Sequence, residues 1–463
     1  MSKVLVCAFA LAGFAASAQA ADLSIGSVKD PLPDTLTWNG VTLYGTIDAG
    51  YGYQTHGAPL NGSAPQGVSY NLYGSKFDNK AISSLDPNAI ERSAVGLKID
   101  ESIGGGWVAI GKLETSFDPL SGELSNGPAS LLQNYGVPLK QQTFNTDSGR
   151  AGQAFNGPAY AGVSNASYGT LTVGRQQSLQ LDVAGEYDPQ GLSYAFGLLG
   201  WSSGFVGAGD TEAARWDNSV KYAYQYGPVH VAAQYSDGGA DTGIFGSAYG
   251  FDAGGTYKGF SLDAVYQKEN SVVSASAASA TTLKATISDN ASWSVQGKYT
   301  YEFGGGFKDD APGAKLTFYG GYENISFANP SSNPSSYIGS AAIGGYLISA
   351  VTSNPYTTDK VLQLTWTGAK YELPSGWSFT GAYYHVDQGA YSGTVTAPAA
   401  GTIQNKANTA GTYNDASFVV DYAFNKHFDI YAGLNYSTLD GGLASGYLND
   451  SQTSVVTGAR LKF

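Results

Sequence analysis

Ser454-Val455-Val456-Thr457-Gly458-Ala459-Arg460-Leu461-Lys462-Phe463 alternates two kinds of residue and closes on an aromatic. Val455, Ala459, Leu461 and Phe463 fall on one face of an extended strand; Ser454, Gly458, Arg460 and Lys462 fall on the other. Strand side chains alternate faces with period 2, so this segment divides an apolar medium from a wet one. A soluble sheet uses the pattern once or twice. Here it recurs along the chain, and the recurrence decides the fold.

Val41-Thr42-Leu43-Tyr44-Gly45-Thr46-Ile47-Asp48-Ala49-Gly50-Tyr51 opens the series, with Leu43, Ile47 and Tyr51 outward and Thr42, Thr46 and Asp48 inward. A second strand is expected from Ala89 to Asp100, with Arg92, Lys98 and Asp100 inward. Gly104-Gly105-Gly106 turns the chain into a third, Trp107 to Phe117, carrying Lys112 and Glu114 inward. Further hairpins flank Ser167-Tyr168-Gly169, Gly227-Pro228, Lys258-Gly259, a Gly-rich turn after Phe303, Pro374-Ser375-Gly376 and Asn425-Lys426-His427, as the Gly/Pro/Asn rule for turns requires. Tight turns alternate with longer connections over residues 55–88, 118–157, 177–214, 236–248, 268–292, 326–360, 387–416 and 438–453.

The prediction is an all-β transmembrane antiparallel barrel of about 16 strands, with short turns at one rim and long loops at the other. Closure is the one way strands cross lipid without orphaned backbone groups. At that strand number the lumen is wide enough for water. One conflict stands out: Leu362, Leu364 and Trp366 share a face, yet Tyr371 and Leu373 have the opposite phase, and a bulge near Thr367-Gly368 would reconcile them.

Composition agrees. Mean hydropathy is -0.16, and no stretch reaches the ~18 consecutive apolar residues of a membrane helix. Glycine contributes 62 residues, Tyr 33 and Phe 20, a mixture that suits strands, turns and aromatic girdles. Outward Tyr299, Tyr301, Phe303, Tyr422, Phe424 and Phe463 are the expected girdle. Residues 1–20 read as a signal peptide: Lys3, an apolar run Val4–Ala16, and Ala18-Gln19-Ala20 before the cut. Residues 21–38 read as a short periplasmic leader and 39–463 as one barrel domain. The sole Cys, Cys7, lies in the signal peptide, so the mature chain has no thiol chemistry. A net charge of -13 excludes a nucleic-acid partner, which rewards clustered Lys and Arg.

The order of these pieces resembles the Gram-negative general porins, the trimeric sixteen-stranded outer-membrane family. Val41-Thr42-Leu43-Tyr44-Gly45, Val95-Gly96-Leu97-Lys98, Lys112-Leu113-Glu114-Thr115-Ser116-Phe117 and Arg215-Trp216-Asp217-Asn218-Ser219-Val220-Lys221-Tyr222 carry the likeness, with Tyr168-Gly169-Thr170-Leu171-Thr172-Val173-Gly174-Arg175-Gln176 the most specific and the ending at Phe463 completing it as an assembly signal. The resemblance implies a cell outer-membrane location, a homotrimer in lipid, and passive diffusion of small hydrophilic solutes and ions. It also implies that residues 177–214 fold into the lumen. Asp182, Glu186 and Asp188 would then be the acidic side of a constriction, facing Arg92, Lys98, Lys112, Arg175, Arg215 and Lys221 on the wall. Glu114, Arg460 and Lys462 would be further lumen-facing charges. Two departures are visible: Ala94 holds the position of the family's first wall arginine, two residues after Arg92, and Asn156-Gly157 replaces another.

No enzyme is expected. Gly200-Trp201-Ser202-Ser203-Gly204 has the spacing of a nucleophile elbow but lacks the strand–turn–helix context. No cofactor fingerprint is present, and His56, His230, His385 and His427 show no paired metal spacing. The rival readings are a carbohydrate-selective pore with an aromatic slide (Tyr44, Tyr319, Tyr384 and Tyr431 are inward by phase), a barrel enzyme, and a soluble secreted β-protein.

Overall fold

The computed structural model describes residues 36–56, 80–124, 132, 154–199, 214–238, 246–304, 313–332, 342–343, 346–395, 397–398 and 400–463. The expected signal peptide and most of the leader lie outside them. Leu36–Trp38, the end of that leader, pairs with Val41–Leu43 as a short strand.

Sixteen antiparallel strands close a ring. In chain order they are β1 (Val41–Gln54), β2 (Ala94–Gly104), β3 (Trp107–Ser116), β4 (Ala159–Asn165), β5 (Gly169–Gln177), β6 (Arg215–Tyr226), β7 (Val229–Ser236) and β8 (Ala248–Tyr257). The second half is β9 (Phe260–Ala277), β10 (Leu283–Glu302), β11 (Lys315–Ala328), β12 (Lys360–Glu372), β13 (Trp377–Gln388), β14 (Gly411–Ala423), β15 (Phe428–Leu439) and β16 (Ser451–Lys462). Each pairs with its successor, and β16 pairs with β1 from Thr46↔Lys462 to Gln54↔Ser454. Phe463 completes the seam: Gly45 N–H donates to its carbonyl at 2.9 Å, its own N–H donates to Gly45 O at 3.0 Å, and its ring covers the outer face of Gly45, where a Cβ would collide.

The outside is apolar. Leu97, Val173, Val220, Phe251, Leu262, Val295, Phe318, Phe418 and Leu434 are exposed on it. Aromatic rings crowd the tight-turn rim. Tyr301 meets Phe303 at 4.9 Å, Trp377 meets Tyr422 at 4.7 Å, and Tyr422 meets Phe424 at 4.8 Å, which is where amphipathic rings sit at a lipid–water boundary.

Three expectations change. The second strand begins at Ala94 rather than Ala89, because Asp48 Oδ2 accepts the N–H groups of Ile90 and Glu91 at 2.9 and 2.8 Å. That clamp holds residues 88–93 as a turn, with Asn88 at φ 62°; Ile82–Pro87 before it pairs with the top of β1. The connection expected at 268–292 is mostly strand: β9 and β10 continue pairing to Ala277↔Leu283 past a register shift between Glu269 and Val272. Finally, β12 has no bulge at Thr367-Gly368, and its register with β11 and β13 runs unbroken. Leu362, Leu364 and Trp366 face inward, where Leu198, Leu199, Ile325, Tyr413 and Leu439 bury them. The apolar phase inverts because an infolded segment covers this part of the wall.

Candidate functional site

The segment after β5 enters the lumen. Ser178 caps helix α1 (Leu179–Tyr187) by accepting Leu181 N–H on Oγ at 3.2 Å. Leu179, Val183 and Tyr187 bury their side chains with Val265 of β9. Polar contacts fix the helix along the wall: Gln180 N–H donates to Gln267 Oε1 at 3.3 Å, Ser294 Oγ donates to Gln180 Oε1 at 2.8 Å, and Trp366 Nε1 donates to Tyr187 O at 3.1 Å. Beyond α1 the chain crosses to β14 and on to the β1–β2 turn. Gln190 Nε2 donates to Ser417 Oγ at 2.8 Å, Ser417 Oγ donates to Phe196 O at 2.7 Å, and Ala195 N–H donates to Ala89 O at 2.9 Å.

The three expected acids part company. Asp182 and Glu186 project from α1 and pair with Lys221 and Lys298, each at 2.6 Å. Asp188 does not reach the lumen and is only 3% exposed. Its Oδ1 accepts the Tyr384 hydroxyl at 2.5 Å and Gln190 N–H at 3.2 Å; its Oδ2 accepts Leu192 N–H at 2.8 Å. Burial pushes its carboxyl above the usual carboxylate range, against these three hydrogen bonds. Asp188 is therefore a latch that holds the segment's shape.

The bases also divide. Arg175 is tied into the wall, pairing with Asp217 at 2.7 Å and donating to the carbonyls of Asn156 and Gly157 at 3.0 and 3.1 Å. Asn156-Gly157, where the resembled family has an arginine, thus anchors Arg175. Gly157 also leaves room for Glu114, since a Cβ there would stand 2.7 Å from Oε1. Glu114 holds Arg92 at 2.5 Å, Lys112 at 3.2 Å and the Tyr44 hydroxyl at 2.9 Å. Lys98, paired with Asp100 at 2.7 Å, stays largely in solvent.

Arg92, Arg215 and Arg460 line one space of about 900 Å³, with Glu91 and the infolded Leu192 and Tyr194. Arg460 also holds Asp429 at 3.1 Å and Glu91 at 3.0 Å, and Lys462 reaches Glu91 at 3.4 Å. The lumen face thus carries acids on α1 matched by lysines and a cluster of arginines beside it. Sequence reasoning missed Lys298 and gave Arg460 a minor place. Alternation along β10 placed Lys298 inward with Gln296, which was available as a clue. Tyr384 and Tyr431 point inward but are buried, Tyr384 on Asp188 and Tyr431 on Asp48 at 2.5 Å. Gly200–Gly204 lies outside the described residues.

An outer membrane porin protein of Bordetella pertussis is 26% identical over 222 residues, 48% of this chain and 44% of that relative. The matched region thus spans under half of the curated relative's length. Among solved structures, the anion-selective porin from Comamonas acidovorans superposes with a TM-score of 0.56 at 17% identity, covering 91% of this chain and 99% of that one. The outer membrane channel DcaP of Acinetobacter baumannii gives 0.51 at 15%, covering 91% and 97%. These likenesses concern the fold. A family profile described as Gram-negative porin matches residues 7–442, nearly the full length, and with a closed barrel already in hand the conclusion is that the chain belongs to the Gram-negative porins.

Proposed function

We propose that the barrel is a passive channel for small hydrophilic solutes and ions, narrowed by the segment running from Ser178 to Leu199. As a Gram-negative porin the chain is an integral outer-membrane protein. The observation that carries the reading is the pairing of an apolar exterior with a lumen lined by Arg92, Arg215, Arg460, Asp182 and Glu186. Solutes in such a lumen keep their hydration, and selection falls to cross-section and to the charges at the narrowest point. Acids on α1 and arginines beside it give a transverse field that orients dipolar solutes and penalises apolar ones.

A general channel is favoured over a carbohydrate-selective one. A sugar slide needs open ring faces, and Tyr384 and Tyr431 are committed to Asp188 and Asp48. The net charge of -13 supports at most a weak cation preference. The working unit is a homotrimer in lipid. A solved porin-fold neighbour, an outer membrane protein of Vibrio cholerae, is described in a trimer form, with a TM-score of 0.55 at 15% identity. Most of residues 118–157, long enough to latch onto a neighbour, lies outside the described set.

Swelling of proteoliposomes in sugars of graded size tests the function. Rates that fall with solute size are expected; vesicles that stay sealed to the smallest sugar would refute it. Native mass at monomer size would remove the trimer.

A further inference from the structure

Three adjacent strands bring an imidazole and two carboxylates together on the lumen wall beside α1. His230 lies on β7, Asp252 on β8 and Asp263 on β9. Gly254 of β8 stands opposite both His230 and Asp263 in the ladders. Only glycine permits the meeting, because a Cβ there would overlap Asp263 Oδ1. Asp263 folds across the bare backbone toward His230 Nε2, which lies 2.5 Å from Asp263 Oδ1 and 3.4 Å from Asp252 Oδ2. The donor atoms of all three residues fall within 4.8 Å of one another.

The surroundings mark this as more than a salt bridge. The two carboxylate side chains are 6% and 5% exposed, so both are desolvated. Asp252 Oδ1 is buried with no hydrogen-bond partner. A buried carboxylate oxygen without a partner is costly, and a bound cation supplies the partner it lacks. The Tyr187 hydroxyl of α1 donates to Asp263 Oδ2, fixing that carboxylate from behind as an outer-shell partner does at metal centres. A space of about 930 Å³, bordered by Asp182, Lys221, His230 and Asp252, gives solvent access.

We propose that His230, Asp252 and Asp263 form a binding site for a divalent transition-metal ion, with Zn²⁺ the best match. Calcium and magnesium take oxygen ligands almost throughout, whereas one imidazole nitrogen and two carboxylates suit zinc and its neighbours. Ligands about 2.1 Å from a tetrahedral zinc stand about 3.4 Å apart. His230 and Asp252 already have that separation. The closer His230–Asp263 contact must open by roughly 1 Å to admit the ion, with water completing the shell. Spacing along the chain hides the site, since each ligand comes from a different strand. It stands independently of the channel reading.

Calorimetric titration of the folded full chain in detergent with ZnCl₂ alone, repeated with CaCl₂, tests the site. One Zn²⁺ per chain is expected, at least tenfold tighter than Ca²⁺. His230→Gln and Asp252→Asn should each weaken Zn²⁺ at least tenfold, and His385→Gln, which alters a separate His–Asp387 contact at 3.0 Å, should not. Gel migration without heating verifies the barrel in each variant. X-ray absorption of the wild-type zinc complex, which needs no variant, should show one imidazole and oxygen neighbours. Absence of saturable Zn²⁺ binding, equal binding by His230→Gln, or a zinc shell without imidazole would overturn the proposal.

Discussion

Removing the Asp188 carboxylate should release the infolded segment while leaving the barrel intact. Asp188→Ala deletes the acceptor for the Tyr384 hydroxyl and for the N–H groups of Gln190 and Leu192. Each buried donor left unpaired costs about 1–3 kcal/mol, and water entering the vacated space recovers part of that. A net loss of about 3 kcal/mol is reasonable for the three together, which multiplies the population of the undocked segment by roughly a hundred. Tyr384→Phe removes a single buried bond, about 2 kcal/mol or some thirtyfold. The barrel itself rests on sixteen paired strands, so the loss stays local. Hydrogen exchange read by mass spectrometry on peptides covering 188–199 should show protection falling by these factors, with β14 and β15 unchanged. Protection unaffected by Asp188→Ala would refute the latch.

Lys298→Ala unpairs Glu186, so the reversal potential in a salt gradient should move toward cations; an unchanged potential would mean Glu186 lies off the ion path. Arg460→Ala strips the shared cation from Asp429 and Asp421, which it holds at 3.1 and 3.8 Å, while Glu91 keeps Lys462; a cost of about 3 kcal/mol should appear as a lower Tm by circular dichroism. Because burial raises the Asp188 carboxyl, the docked segment holds its proton more tightly than the undocked one. Docking should therefore strengthen as pH falls from neutral through that raised range and level off below the ordinary carboxylate value, seen in exchange corrected for intrinsic rates. Deleting Phe463 removes both seam hydrogen bonds and the cover over Gly45, and the yield of folded barrel should fall.

Much of the barrel is legible from the chain because lipid enforces a strict alternation on the outer face. Turn residues such as Gly227-Pro228 and Lys258-Gly259 stand between the strands they join, and β6 runs over the expected residues. Legibility fails where the lumen stops being water. Leu362, Leu364 and Trp366 resemble lipid-facing residues, yet they pack on an infolded segment whose route no local pattern encodes. Asp188 looks like an acid for the pore because nothing nearby in sequence announces Tyr384, nearly two hundred residues away. The β1–β2 turn depends in the same way on Asp48 reaching Ile90 and Glu91. In hindsight, inverted apolar phase on a strand marks where a barrel's interior is filled.

The bore should be open and filled with water, and single-channel recording of the purified protein in planar bilayers tests this. Discrete ohmic steps whose size scales with the conductivity of the bathing salt are predicted. Bilayers that stay silent with folded protein inserted would contradict it.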